Sequence, residues 1–442
     1  MHLLKKNRSF ALLFFGSLVS EIGNILYGFA IALYILSVTG SASSMAIFMS
    51  VSTAVRVLSS PLAGVIVDKV DRIKIIYMTD YIRAALFLSA GILMAGNWSS
   101  TNIIIMLYVM SILSSFNGSF FGTAVTASVP EIVGLENLQA ANSAQSVVGS
   151  FQVIIGVLLG AIVYSIFGLM WVLIINAFTF LFSAISEMFI KTPYKEEAQS
   201  TSIHHEDDKS FKAGVKYLLS KKEIPILLLF ILFINFAITP LFNVGIPYYF
   251  NTLMEREPIE LALVDVVFAV AMLIAGVVIG AIKIKSSNKI IKISMSCLTV
   301  LFVIVALLIY IQQKGVLSYW PFFGLLLFTN GLMGITIIFV NVPVNTGLVK
   351  AVDASYRGRV FSILGAVSQI AVPFAQIIGG LIIDSYGIVM LGLFCSVMVL
   401  IPSVSFVFNK SLTKLFDHLD QIGTKAQEET KPIHTEIISS ES

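Results

Sequence analysis

The sequence predicts an all-α polytopic membrane protein, with twelve transmembrane helices arranged as two pseudo-symmetric six-helix bundles. Three observations predict it: a composition too apolar for water, twelve runs long enough to cross a bilayer, and a Lys/Arg alternation that fits that count. Of 442 residues, 57% are hydrophobic and 12% charged, against about 45–50% apolar and 25% charged in soluble domains. In lipid the backbone must satisfy its own hydrogen bonds, which leaves helices or closed barrels. The runs are continuous and lack the ten-residue alternation of a barrel, so helices follow.

At roughly 20 residues per crossing, the first six spans fall at residues 10–38, 43–68, 74–96, 102–128, 139–164 and 167–190. The second six fall at 224–250, 259–284, 289–312, 318–345, 356–383 and 387–409. With the N-terminus in the cytoplasm, all Lys and Arg except Arg56, Arg83, Arg256 and Lys314 lie in the tails and in loops on that same side. Cytoplasmic loops carry such an excess, so both termini are expected in the cytoplasm of a bacterial plasma membrane. The first run follows Lys5, Lys6 and Arg8 and exceeds the apolar region of a signal peptide, so it is expected to remain as helix 1. Cys297 and Cys395 sit inside apolar runs. They read as small core residues rather than as a disulfide framework or metal site.

The domain plan is therefore a first bundle over 1–190, a cytoplasmic linker over 191–222, a second bundle over 223–409 and a cytoplasmic tail over 410–442. The linker holds Glu196, Glu197, His204, His205, Glu206, Asp207 and Asp208 among several lysines. His204-His205 lacks the cysteines or ordered carboxylates of a metal site and reads as solvated. Phe211, Val215, Leu218 and Leu219 follow at helical spacing, which predicts an amphipathic helix on the membrane surface. The tail, rich in Lys, Glu, Thr and Ser, predicts disorder. A shift of 219 positions lays the segment from Ala141 on that from Val360, matching Ser143 to Ser362, Gly160 to Gly379 and Gly168 to Gly387 without gaps. Such spacing is expected of parallel repeats about an axis normal to the membrane.

Ionisable groups inside spans are costly and face a partner or a cavity. Glu21 lies near mid-depth of helix 1, and Arg56 lies about as deep in helix 2. Two readings stand side by side: Glu21 takes up the coupling proton or a cationic solute with Arg56 tuning it, or the two form a structural ion pair. Asp80 and Arg83, one turn apart in helix 3, read as a local intramembrane pair, and Asp265 in helix 8 is a second coupling candidate. Pro61, Pro240, Pro247, Pro343 and Pro373 predict kinks. No Gly-rich nucleotide loop ending in Lys-Ser/Thr is present, nor any recognisable catalytic set. The chain is expected to be no enzyme, to use no cofactor or metal, and to bind no nucleic acid.

Between helices 2 and 3 stands Gly64-x-x-x-Asp68-Lys69-x-Asp71-Arg72-x-Lys74. It resembles the signature loop of the major facilitator superfamily. Ala124-x-x-Ala127-x-x-Pro130-Glu131-Ile132-Val133, Leu138-x-x-Ala141-Asn142, Asp80-x-x-Arg83 and Arg357-Gly358-Arg359-Val360-Phe361-Ser362 resemble the macrolide-efflux and enterobactin-exporter-like branch. The resemblance covers residues 10–409. It implies a monomeric secondary transporter working by alternating access and exporting an amphiphilic small molecule by proton antiport. A nutrient or peptide importer of the same fold, and a non-transporting sensor or immunity protein, are the alternatives. Where the branch's antiporters often carry an Arg in helix 4, this chain has Ser114-Ser115-Phe116-Asn117, and Gly156-Val157 stands where they tend to have Gly-Pro.

The resemblance also places the start of helix 11 near Asp68. A carboxylate facing a helix N-terminus is favoured by about 0.3–1 kcal/mol when exposed. Gly64, Asp68, Lys69, Asp71, Arg72, Lys74, Arg357 and Arg359 are therefore expected to form a conformational latch between the halves; in the alternative reading the cations only set orientation. Helices 1, 4, 7 and 10 line the cavity in this fold, which makes Asn24, Tyr27, Tyr108, Asn117, Asn235, Asn243, Asn330 and Asn341 cavity candidates. Aromatic and aliphatic walls with a few amides suit a bulky amphiphile, although each amide alone is equally explained by helix packing.

Overall fold

The computed structural model describes residues 4, 6–96, 98–191, 216–218, 220, 223–282, 286–352, 357–409, 412–414 and 416–417. Among them there is no β-strand. The first half comprises α1 (Arg8–Thr39), α2 (Ala42–Val67), α3 (Arg72–Met94) and α4 (Ser100–Val133). A short turn, Leu135–Asn137, leads into one run, Leu138–Glu187, that breaks at Gly168. Its arms are numbered α5 (138–167) and α6 (169–187). The second half comprises α7 (Glu223–Pro240, continued through Leu241–Gly245, Ile246–Tyr248 and Tyr249–Leu253) and α8 (Pro258–Ala281). It continues with α9 (Ser287–Gln313), α10 (Tyr319–Ala351), α11 (Arg357–Tyr386) and α12 (Ile388–Phe408). At 1.5 Å per residue, even the 21-residue α12 matches a hydrocarbon core of about 30 Å. Among the described residues eleven helices are long and apolar enough to cross a membrane, and one of them, the run ending at Glu187, is divided at Gly168 into two arms.

Polar caps start several of them. Asn7, Ser41, Asp71, Ser99 and Ser286 accept first-turn backbone N–H groups of α1, α2, α3, α4 and α9, satisfying donors that have no intrahelical partner. The burial pattern is that of a protein in lipid. Leu58 is 80% exposed, and Val277 and Phe328 are similarly bare on the outer surface, where only acyl chains solvate them well.

The 219-residue repeat has a backbone counterpart. Gly168 turns the chain between α5 and α6 with φ 75°, and Gly387 does so between α11 and α12 with φ 84°, a region costly to residues with a Cβ. Gly160 lets α5 approach the backbone of Leu26 in α1, and Gly379 lets α11 approach Pro240 in α7. The same small-residue contact thus recurs at equivalent positions. Helix α7 is the irregular one: two π-turns, Leu241–Gly245 and Tyr249–Leu253, follow Pro240 and Pro247, as expected where proline removes ladder donors.

The halves meet where α2 packs on α11 and α5 on α8. At the face opposite the chain termini, one continuous apolar core joins both halves, from Leu33 and Met45 to Tyr249, Phe322 and Leu391. At the terminal face the core is split. One cluster around Phe10, Ile76 and Phe121 belongs to the first half; another around Phe230, Leu348 and Phe406 belongs to the second and takes in Leu218. The predicted linker helix at Phe211–Leu219 otherwise lies outside the described residues, as does most of the tail.

Candidate transport cavity and its two faces

Between the halves lies a cavity of about 1210 Å³. Its walls come from the parts of α1, α2, α4 and α5 that run from mid-membrane to the terminal face, with Arg83 and Phe87 of α3 and, from the second half, Asn243, Gln369, Val372 and Gln376. It therefore opens where the apolar core is split and ends where the core is continuous.

Its chemistry departs from the expected aromatic wall with sparse amides. Ser111, Ser115 and Ser119 recur every four residues along α4 and line it, a spacing that puts them on one helical face. Opposite them α2 supplies Ser52 and Ser60; Ser52 Oγ and Ser111 Oγ lie 2.5 Å apart, and the buried Ser59 donates to Ser119 Oγ at 2.8 Å. Gln145, Gln152, Gln369 and Gln376 add amides. The wall is hydroxyl- and amide-rich, with Phe14, Phe48, Phe87 and Phe121 between the polar groups.

Of the sequence-predicted cavity residues, Asn24, Tyr27 and Asn243 line this space. The others serve packing or a different void. Tyr108 stacks edge-on against Phe48 at 4.9 Å. Asn117 is buried off the cavity wall. Asn330 donates to the Val264 carbonyl at 2.6 Å, tying α10 to α8. Asn235 and Asn341 line a separate pocket of about 260 Å³ in the second half. None of the described α10 residues lines the central cavity, which corrects the expectation drawn from the four-helix rule.

Three charged side chains reach the wall: Glu21, Arg56 and Arg83. Glu21 accepts from Asn24 Nδ2 at 3.3 Å, while Arg56 is exposed to the cavity. The ion pairs among the described residues are Arg72–Asp68, Arg72–Glu131 and Arg83–Asp80, so the structural Glu21–Arg56 pair is not formed in this conformation. Both side chains face the cavity. Asp265 is half-buried on α8 and does not line the cavity. The Asp80–Arg83 pair is present, at 2.5 Å and buried.

At the terminal face the loop between α2 and α3 is tied to its own half. Asp68 ends α2 with a 74% exposed side chain and meets Arg72 at 3.4 Å. Arg72 reaches across to Glu131 and to the Ala127 carbonyl of α4. Asp71 caps α3, accepting from the backbone N–H groups of Ile73 and Lys74. Lys69 and Lys74 point to the exterior, and a Cβ on Gly64 would meet nothing within 4 Å. The side chains of Arg357 and Arg359, assigned to the latch, lie outside the described residues.

The opposite face carries contacts that the sequence reading missed. Asp384, near the end of α11, accepts from Ser41 Oγ at 2.8 Å, Ala42 N at 3.0 Å, Ser43 N at 3.1 Å and Ser43 Oγ at 2.5 Å. It caps α2 from the other half of the molecule. Below it Gly380 lies against the backbone of Ala42 and Ser43, and Ser50 Oγ donates to the Pro373 carbonyl at 3.0 Å. Glu187, fully buried in α6, is a further charged residue that the sequence reading did not single out. No local pattern marks Asp384, because its donors are more than 340 positions away.

A bundle of membrane-length apolar helices around a cavity open at one face has the architecture of a membrane transporter. The chain matches the Major Facilitator Superfamily over residues 13–372 and belongs to that family. It is 24% identical over 376 residues to macrolide efflux protein A of Streptococcus pyogenes, covering 84% of this chain and 89% of that protein. It is likewise 24% identical over 316 residues to macrolide efflux protein A of Enterococcus faecalis, covering 71% and 93%. The fold matches a bacterial homologue of the iron transporter ferroportin in its inward-facing state, with a TM-score of 0.67 and 15% identity over 90% of this chain and 98% of that one. The resemblance to the superfamily and to its macrolide-efflux members is thereby borne out.

Proposed function

We propose that this transporter exports an amphiphilic, macrolide-like solute from the cytoplasm of a bacterial cell by proton antiport, with the terminal face on the cytoplasmic side. The observation that carries the reading is the cavity itself: about 1210 Å³, open at the face that holds the Lys/Arg excess and lined by phenylalanine rings between hydroxyls and amides. A void of that size suits a large ligand, and mixed walls suit one with both apolar and hydroxylated surfaces. The similarity to proteins named for macrolide efflux supports the same solute class. Glu21, with no Arg56 partner, is the cavity group able to exchange a proton for a solute. When it is protonated and neutral, the cavity loses its negative charge; when it is ionised, it attracts a basic solute.

The test is accumulation of a labelled macrolide in inverted vesicles under an imposed proton gradient, beside a labelled peptide and a labelled sugar. The macrolide should accumulate, collapse of the gradient should abolish accumulation, and Glu21→Gln should lower the initial rate by about tenfold or more, the equivalent of about 1.4 kcal/mol. Accumulation that survives collapse of the gradient excludes proton coupling. Accumulation of the peptide or sugar alone excludes the solute class.

A further inference from the structure

Behind the cavity wall the first half holds a second charged cluster that this cycle does not use. Asp80 of α3 and Glu187 of α6 are 0% exposed, and Arg83 is 4% exposed. Arg83 Nη2 donates to Asp80 Oδ1 at 2.5 Å. Its guanidinium lies between the rings of Phe121 and Phe180, 4.4 and 4.5 Å from their centroids, a stacked placement that favours the cation. Ser183 Oγ donates to Glu187 Oε1 at 3.1 Å. Asp80 Oδ2, Glu187 Oε2 and Arg83 Nε are then left buried without a hydrogen-bond partner.

The inventory of charges does not balance. Asp80 Oδ2 and Glu187 Oε2 are both buried and take no hydrogen bond from any donor, and two carboxyl groups can bond each other only if one carries a proton. One guanidinium neutralises one carboxylate, and a second buried carboxylate without a partner is strongly disfavoured inside a membrane. Among the described residues the neighbouring elements supply no further cation: α1 presents Gly16 over Glu187 and Glu21 on the cavity wall, while α4 presents Phe121.

We propose that Asp80 and Glu187 share one proton, held between Asp80 Oδ2 and Glu187 Oε2, and that this is an internal proton-binding site behind the cavity. Arg83 and Phe121 belong both to the cluster and to the cavity wall, and Glu21 lines the same wall. Loading adds one proton to a carboxyl oxygen. Release passes it toward Glu21 and water and leaves two carboxylates facing one guanidinium, a state that a shift of α1 over Gly16 can relieve by admitting water. That the site serves coupling rests on the antiport reading; the shared proton does not.

Infrared difference spectroscopy of the full chain in lipid nanodiscs, in water and in deuterium oxide at neutral pH, reads protonated buried carboxyls directly. The wild type should show a protonated-carboxyl band with a component that Glu187→Gln and Asp80→Asn each remove and that Glu21→Gln leaves in place. Arg83→Gln should enlarge that component about twofold, since both carboxyls then lack a counter-ion. If Arg83→Gln does not fold, the two carboxyl variants carry the test. Carboxyl spectra of both variants that superimpose on the wild type's overturn the site. A band that behaves as expected in a protein whose transport ignores the proton gradient overturns the coupling role alone, and gradient-driven transport without the band overturns the site alone.

Discussion

Helix α2 has a carboxylate at each end, and the two are in opposite situations. At the opposite face Asp384 of the second half takes four hydrogen bonds from Ser41, Ala42 and Ser43. At the terminal face Asp68 stands 74% exposed and, among the described residues, pairs with Arg72 of its own half. The apolar core repeats the contrast, continuous across both halves at one face and divided at the other. One helix thus shows what a closed and an open end look like in the same conformation. Packed interfaces have discrete arrangements, so an alternating transporter needs a contact at each end that is strong enough to close and weak enough to release. Asp384 fits that requirement. It completes the first turn of α2, whose N–H groups otherwise lack partners, yet it sits at the exposed rim where water competes.

The comparison breaks most directly at Asp384. Asp384→Ala removes the acceptor for all four donors, a loss of about 1–3 kcal/mol when capping and helix-terminus effects at an exposed site are combined. Two spin labels, one on α2 and one on α11 near this face, should report a second, longer distance whose population rises by roughly 5–30-fold or more. An unchanged distance distribution would mean that the apolar core alone closes this face. Ser43→Ala is the milder cut. It removes one hydroxyl donor at 2.5 Å and leaves the backbone bonds, so the same measurement should shift by about 0.5–1.5 kcal/mol. A shift as large as that of Asp384→Ala would move the closure from the carboxylate to the serine.

This contrast also marks what the sequence could and could not convey. Hydropathy and the Lys/Arg alternation depend only on composition along the chain, which is why the twelve spans were legible, and Gly168 and Gly387 betrayed the repeat because positive φ selects glycine wherever the turn recurs. The Asp80–Arg83 pair was legible because its members share a helix turn. Asp384 and Glu187 were not, since each depends on a partner set brought by another helix. The cavity amides failed for a related reason. Helical periodicity tells which residues share a face, but α10 lacks a polar–apolar contrast to say which face looks inward, and Asn330 and Asn341 turned to packing and to a side pocket.

The smallest expected effect is at Asp68, and it sharpens the comparison most. Among the described residues Asp68→Asn removes an exposed pair with Arg72 at 3.4 Å, a contact worth about 0–1 kcal/mol, while Arg72 keeps Glu131 and the Ala127 carbonyl. Thermal stability of the purified protein should move by less than about 0.5 kcal/mol, as for other surface substitutions. If Asp68 closes the terminal face against the start of α11 in the other half of the cycle, the same variant should still lose transport, since that state alone is weakened. The empty space beside Gly64 points the same way: a small residue with nothing to pack against here leaves room for a helix that approaches later. Gly64→Leu should therefore spare stability in this conformation and slow transport alongside Asp68→Asn. If both variants transport at the wild-type rate, the two ends of α2 differ in kind, and closure of the terminal face must be sought in contacts other than this loop.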